Sequence, residues 1–277
     1  MLDKFIFENH LGQRFEGLPN GVYLNQSDLR DYSWSYNTIN NRISRFYRGI
    51  TSRKIPLVVY CNSDEEAIEV KNRLHELAET DIAAKIPGKI FVGDYYTIGY
   101  ITTSVKSNYL IRKKYCKIEL TFVSDDPSWY REKTYSFVSG ADGTANLGGG
   151  GADFPYDYSY DYAMTLKGRK IVCDSIGNND FKLRIYGKID KPTVSINGHV
   201  YTVNGIVNLG ENLLIDSVSK TITLTTVLGN KVNWYDKRGR ENYIFEPIPA
   251  GQNTVSWSGN FGFELTVIEK RSEPRWT

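Results

Sequence analysis

Side chains capable of acid–base, nucleophilic or metal chemistry are scattered along this 277-residue chain. The three histidines, His10, His75 and His199, fall in three different segments. His75 flanks Leu74 on a helical pattern, and His199 follows a hairpin glycine, where a polar turn residue is expected. Neither a G-x-S-x-G elbow nor an H-E-x-x-H pair is written in the sequence. Cys61, Cys116 and Cys173 are widely separated and odd in number, without the Cys-x-x-Cys or Cys/His spacing that would bind a metal. They read as small buried hydrophobes, compatible with a reducing cytoplasm.

Carboxylates and glycines give no site either. Asp125-Asp126 and Asp216 could supply a glycosidase pair, but paired Asp ahead of Pro127 at the end of a strand reads as turn chemistry. The run Gly148 to Gly151 invites a phosphate reading. A Walker loop needs Lys-Ser/Thr after its last glycine, whereas Ala152-Asp153-Phe154 follow here, and an acid repels phosphate. No enzyme, cofactor or metal is expected. Trp234, Tyr235 and Trp257 fit two readings: a stacking platform for sugar rings, or tryptophans filling a core or interface. Lys231, Lys237, Arg238 and Arg240 lie close by, but Asp236 and Glu241 interleave with them and weaken a nucleic-acid reading.

Charge balance agrees. There are 34 Lys+Arg against 32 Asp+Glu, a net +2, so no long-range field draws nucleic acid or an anionic membrane. The 20 tyrosines suit either protein contacts or strands in general. The N-terminus lacks the basic start of a signal peptide, and no run reaches the ~20 apolar residues of a spanning helix. A soluble chain without N-terminal export is expected.

The elements that must carry these residues are mostly strands. Lys4–Glu8, Gly21–Leu24, the aromatic/serine alternation Tyr32–Tyr36, and Arg53–Cys61 come first, with Pro56 expected near a strand start or an edge. Ser63-Asp64-Glu65-Glu66 forms a capping box opening a helix from Asp64 to Thr80. Its apolar stripe is Ala67, Val70, Leu74, Leu77 and Ala78, and Asp81 ends the pattern. Strands return at Lys89–Gly93, Tyr95–Ile101, Ser107–Ile111 and Tyr115–Val123. Residues 166–277 are strand and turn, with Asn197-Gly198 as the clearest hairpin and Asn212–Asp216 paired with Lys220–Leu224. The reading is a mainly β protein with one helix: an α+β domain over residues 1–140, a Gly/Tyr/Asp-rich linker or insertion over 141–165, and a β-sandwich over 166–277.

This order of parts resembles the distal tail proteins (Dit) of long-tailed siphophages. The resemblance is carried by the strand–helix–strand unit Ile55 to Val92, and by Leu120-Thr121-Phe122-Val123-Ser124-Asp125-Asp126-Pro127-Ser128-Trp129-Tyr130. It is also carried by Asn212–Asp216 with Lys220-Thr221-Ile222 and Leu228-Gly229-Asn230, and by Ile248-Pro249-Ala250-Gly251-Gln252-Asn253-Thr254-Val255. It implies a ring-forming N-terminal domain with a barrel-like sheet, a galectin-like C-terminal sandwich, and a homo-hexamer at the virion tail tip. The implied partners are the tail tube protein, a tail-associated hub or lysin protein, and receptor-binding or baseplate proteins. A carbohydrate-binding module for host-wall glycans is the alternative, and neither reading inserts in a membrane.

Overall fold

The structure is a computed structural model that describes residues 4–108, 114–139 and 169–276. The fold is mainly β with one α-helix among the described residues, as the sequence predicts. It divides into two compact units, Met1–Arg131 with Lys270–Thr277, and Glu132–Glu269, so the chain returns to the first unit at its end. The glycine run Gly148 to Gly151 and the whole span 141–165 lie outside the described residues.

In the first unit the strands are β1 (Ile6–Glu8), β2 (Arg14–Glu16), β3 (Val22–Leu24), β4 (Ser35–Ile39), β5 (Arg42–Tyr47) and β6 (Thr51–Tyr60). Helix α1 (Asp64–Ala84) follows, then β7 (Gly88–Val92), β8 (Tyr95–Ser107), β9 (Tyr115–Ser124) and the start of β10 (Trp129–Phe137). Neighbours run β2-β1-β7-β8 and β8-β9-β6-β3, all antiparallel. One long strand, β8, serves both sets. Tyr95–Gly99 pair with β7, Tyr100–Ser107 pair with β9, and a bulge between Ile101 and Thr103 marks the change. Gly99 sits at this crossing because a Cβ there would lie 2.4 Å from the Val123 carbonyl oxygen and against the Phe122 ring. Phe7, Phe15, Ile55, Leu57, Phe122 and Trp129 fill the core behind these strands.

The helix begins where the capping box predicts. Ser63 Oγ accepts the Glu66 amide at 3.1 Å, while the Glu66 carboxylate reaches one residue further back, to the Asn62 amide at 3.0 Å. The expected stripe, Ala67 to Ala78, is buried. The helix does not stop at Asp81 but runs to Ala84, where Lys85 turns left-handed (φ 56°) and donates back to Asp81 and Ile82. Asp81 is buried and tied to the β1–β2 turn through one carboxylate oxygen: Oδ1 accepts the His10 amide at 2.8 Å and lies 2.7 Å from His10 Nδ1.

Two other expectations change. Pro56 lies in mid-strand, paired with Glu119 of β9 on one side and just past the end of β3 on the other, where its carbonyl accepts the Asn25 amide at 2.9 Å. It is tolerated because β3 ends at Leu24 opposite Leu57, so its missing N–H faces no ladder partner. The expected strand Tyr95–Ile101 is longer than predicted and runs to Ser107; of the expected strand Ser107–Ile111, residues 109–111 lie outside the described residues.

The second unit holds the rest of β10, then β11 (Arg169–Cys173), β12 (Asp180–Tyr186), β13 (Ile189–Asp190), β14 (Thr193–Ile196) and β15 (His199–Thr202). After them come β16 (Ile206–Val207), β17 (Asn212–Asp216), β18 (Thr221–Thr225), β19 (Lys231–Asn233), β20 (Gly251–Trp257) and β21 (Gly262–Arg271), whose last two residues belong to the first unit. Two sheets, β19-β18-β17-β12-β21 and β11-β20-β14-β15, share one core built on Phe181, Leu183, Val194, Leu213, Val255 and Leu265. The Asn197-Gly198 hairpin forms as expected, with both turn residues at positive φ (51° and 82°) and Ile196 opposite His199.

Candidate assembly surface

The least explained feature of the molecule is the β4–β5 hairpin. Sequence alternation predicts a strand over Tyr32–Tyr36, but only Ser35 and Tyr36 belong to one. The strand runs on to Ile39 and turns at Asn40-Asn41, both with positive φ (50° and 59°), before returning as β5. Asn tolerates this left-handed backbone better than other residues with a Cβ. The alternation over Tyr32–Tyr36 does not reveal this turn; the Asn-Asn pair is the one sequence feature that could have.

Among the described residues β4 and β5 pair only with each other, and every residue of both strands is exposed. The register sets Tyr36 opposite Phe46 and Thr38 opposite Ile43, and a bulge in β5 at Ser44, where the register shifts between Asn37 and Thr38, gathers these four on one face. Tyr36 is 59% exposed, Ile43 53% and Phe46 57%. The other face carries Asn37 opposite Arg45 and Ile39 opposite Arg42. A two-stranded hairpin on its own is marginal in water, and a contiguous exposed apolar face marks a surface meant to be covered. At its root, the Arg48 guanidinium stacks 4.4 Å from the Trp34 ring centre.

The residues singled out for chemistry do not converge on one site. His10 is bound to Asp81, and His199 Nε2 lies 2.9 Å from the Tyr243 carbonyl oxygen. Asp125-Asp126 do turn chemistry: Asp126 accepts from the Ser128 amide and hydroxyl, the Tyr130 hydroxyl and Lys270 Nζ. Burial alone would push the Asp126 carboxyl up, but these donors outweigh it and hold it at about 2. Asp216 Oδ1 likewise accepts the Val218 and Ser219 amides. All three cysteines are buried and free, with thiols pushed up by desolvation. No cluster of three metal-ligating side chains occurs among the described residues.

Of the three stacking candidates, two are taken up by the second unit's packing. Trp234 is buried, with Lys237 Nζ 3.7 Å from its ring centre. Trp257 packs edge-on to Phe137 and Phe263 and donates its Nε1 to the Phe261 carbonyl at 3.1 Å. Tyr235 is the one exposed residue of the three, and its ring is occupied by Phe245 in a stacked contact and by Arg238, whose guanidinium lies 4.1 Å from the ring centre.

No family model and no curated protein matches the sequence. Solved structures do match over almost the whole chain. The Dit protein of phage SPP1, described as a paradigm of the hub adsorption apparatus in phages infecting Gram-positive bacteria, aligns with TM-score 0.58 at 11% identity, covering 96% of this chain and 99% of that one. A chain of the phage P2 baseplate, in its activated conformation with calcium, aligns with TM-score 0.60 at 13% identity, covering 99% and 100%. The same baseplate with strontium gives 0.59 at 13%. The fold of this chain is therefore that of phage Dit and baseplate proteins, from end to end.

Proposed function

We propose that this chain is a distal tail protein of a siphophage, a structural hub at the virion tail tip with no catalytic role. Copies close into a hexameric ring that joins the tail tube protein above to a tail-associated hub or lysin protein below. Receptor-binding or other baseplate proteins attach at the side. The end-to-end fold match supports the family, and the uncovered β4–β5 hairpin carries the ring reading.

The mechanism is geometric. An amphipathic hairpin that cannot bury its own Tyr36–Phe46 face gains by laying it on a neighbour. If each copy offers the same face to the next, cyclic symmetry closes the head-to-tail contact into a ring. The dispersed titratable groups and the mixed charge fit a scaffold better than a catalyst.

Mass photometry of the purified chain, alone and mixed with the tail tube protein, tests this reading. A hexamer, or a ring that forms on mixing, is the expected result. A lone monomer that ignores the tube protein at micromolar concentration would sink it.

A further inference from the structure

Where the chain enters and leaves the hairpin lies a small polar cavity of about 180 Å³, whose lining includes Asp28, Asp31, Ser33, Arg48, Arg53 and Pro127. Arg53 is only 3% exposed, yet its Nε and Nη1 have no protein acceptor among the described residues, and neither does the buried Nη1 of Arg48. Each arginine uses Nη2 within the chain: Arg53 Nη2 donates to the Pro127 carbonyl at 3.0 Å, and Arg48 Nη2 to Ser128 Oγ at 2.7 Å. Asp28 and Asp31 do not complete the set. Asp28 Oδ1 caps the Lys54 amide at 2.7 Å, and burial lowers the Arg53 pKa although both aspartates pull it up. The open Nη1 groups of Arg48 and Arg53 call for an acceptor, and a carboxylate has one oxygen for each.

Position names the donor of that carboxylate. Ser33 lies two residues before β4 and Arg48 directly follows β5, so whatever covers the hairpin passes the cavity. The volume suits one side-chain carboxylate and is too small for a nucleotide or a disaccharide. We propose that an Asp or Glu of a neighbouring copy of this chain enters the cavity and accepts hydrogen bonds from Arg48 and Arg53 as that copy covers the hairpin. This rests on the ring reading above, and symmetry then repeats the contact at every subunit boundary.

The test uses the full chain carrying Arg53→Lys, assembled from mixed light and heavy-nitrogen subunits and treated with a water-soluble carbodiimide. The reagent joins an amine to a carboxylate only when the two are in contact. Mass spectrometry of the ring should show position 53 linked to an Asp or Glu peptide of the other isotope. Links only to Asp28 or Asp31 of the same chain, or none, in a ring of normal mass would overturn the cavity proposal and leave the ring intact. If Arg53→Lys fails to fold, Arg48→Lys gives the same readout. Arg53→Gln should also weaken ring assembly by about tenfold, the size of a modest interface anchor. A wild-type chain that forms no ring with or without tube protein overturns both readings at once.

Discussion

Lys270 Nζ lies 2.7 Å from Asp126 Oδ2, tying together residues 144 apart in sequence at the point where the chain re-enters the first unit. The same carboxylate holds the Asp-Pro turn through Ser128 and Tyr130. One side chain thus fixes both the end of β9 and the return of the C-terminal segment.

Because Asp126 titrates at about 2 when folded, against an ordinary 3.8, its contribution is fully present above about pH 4 and is lost as pH falls toward 2. The side chain is 42% exposed, so solvent screening keeps the effect small. Lys270→Ala should lower the unfolding midpoint at pH 7 by a degree or two. The deficit should shrink in acid as Asp126 protonates and gives up the interaction. Thermal unfolding followed by circular dichroism between pH 7 and pH 2.5 would check this; a deficit that stays constant across the range would contradict it.

A second linkage across the first unit joins the β1–β2 turn to the helix. His10 covers the buried Asp81, whose Oδ2 has no protein partner among the described residues, and Gly88 leaves the room it needs. A Cβ at Gly88 would fall 2.2 Å from that oxygen and 2.8 Å from the Glu8 carbonyl oxygen. Gly88→Ala should therefore cost about 2–3 kcal/mol, the usual size of an overpacking defect. His10→Ala should cost about 1–3 kcal/mol by stripping a donor from a buried carboxylate. Urea unfolding of the two variants measures both, and values under ~0.5 kcal/mol would show that the pair is loosely held.

Much of this architecture is legible in the residues themselves. Ser63 and Glu66 mark the helix start, Asn197-Gly198 marks its hairpin, and the spacing of Phe181 to Tyr186 marks a sandwich strand. What fails is what tertiary contacts decide. Asp81 looks like a stop because an isolated helix would end there, and the His10 that ties down its carboxylate lies 71 residues away. Pro56 looks like an edge marker because sequence cannot show where β3 ends. The hairpin is only half legible: the aromatic alternation up to Tyr36 predicts a strand, whereas the turn at Asn40-Asn41 and the return through Ile43 and Phe46 carry no regular period because of the bulge in β5. Trp234 and Trp257 illustrate the same limit, since a tryptophan bound for the core and one bound for a ligand look alike in sequence.

At the Asn197-Gly198 turn, a Cβ added to Gly198 meets open space, so the backbone alone opposes substitution. With φ at 82°, Gly198→Ala should cost about 1 kcal/mol. Asn197 also accepts the Thr254 amide through its Oδ1 at 2.8 Å, so Asn197→Ala should add a lost hydrogen bond of about 1 kcal/mol to its own backbone strain. Equal midpoints for the two variants and wild type in guanidinium unfolding would show that the turn does not pin β14 to β15.

The decisive variants lie on the hairpin. Tyr36 and Phe46 stand opposite each other on a face that is more than half exposed, so replacing either with Ser removes little burial within one copy. Each change should shift monomer stability by no more than about 0.5 kcal/mol. In the ring the same rings would be interface anchors, where loss of an aromatic typically costs ~2 kcal/mol or more per contact, some thirtyfold in dissociation constant. Arg42→Ser on the opposite face serves as the control and should move neither quantity by much. Sedimentation velocity across a concentration series, paired with thermal unfolding, separates the two effects. Aromatic variants that assemble as tightly as wild type would show that the hairpin faces solvent in the assembly, and the subunit contact would then have to lie elsewhere on the first unit.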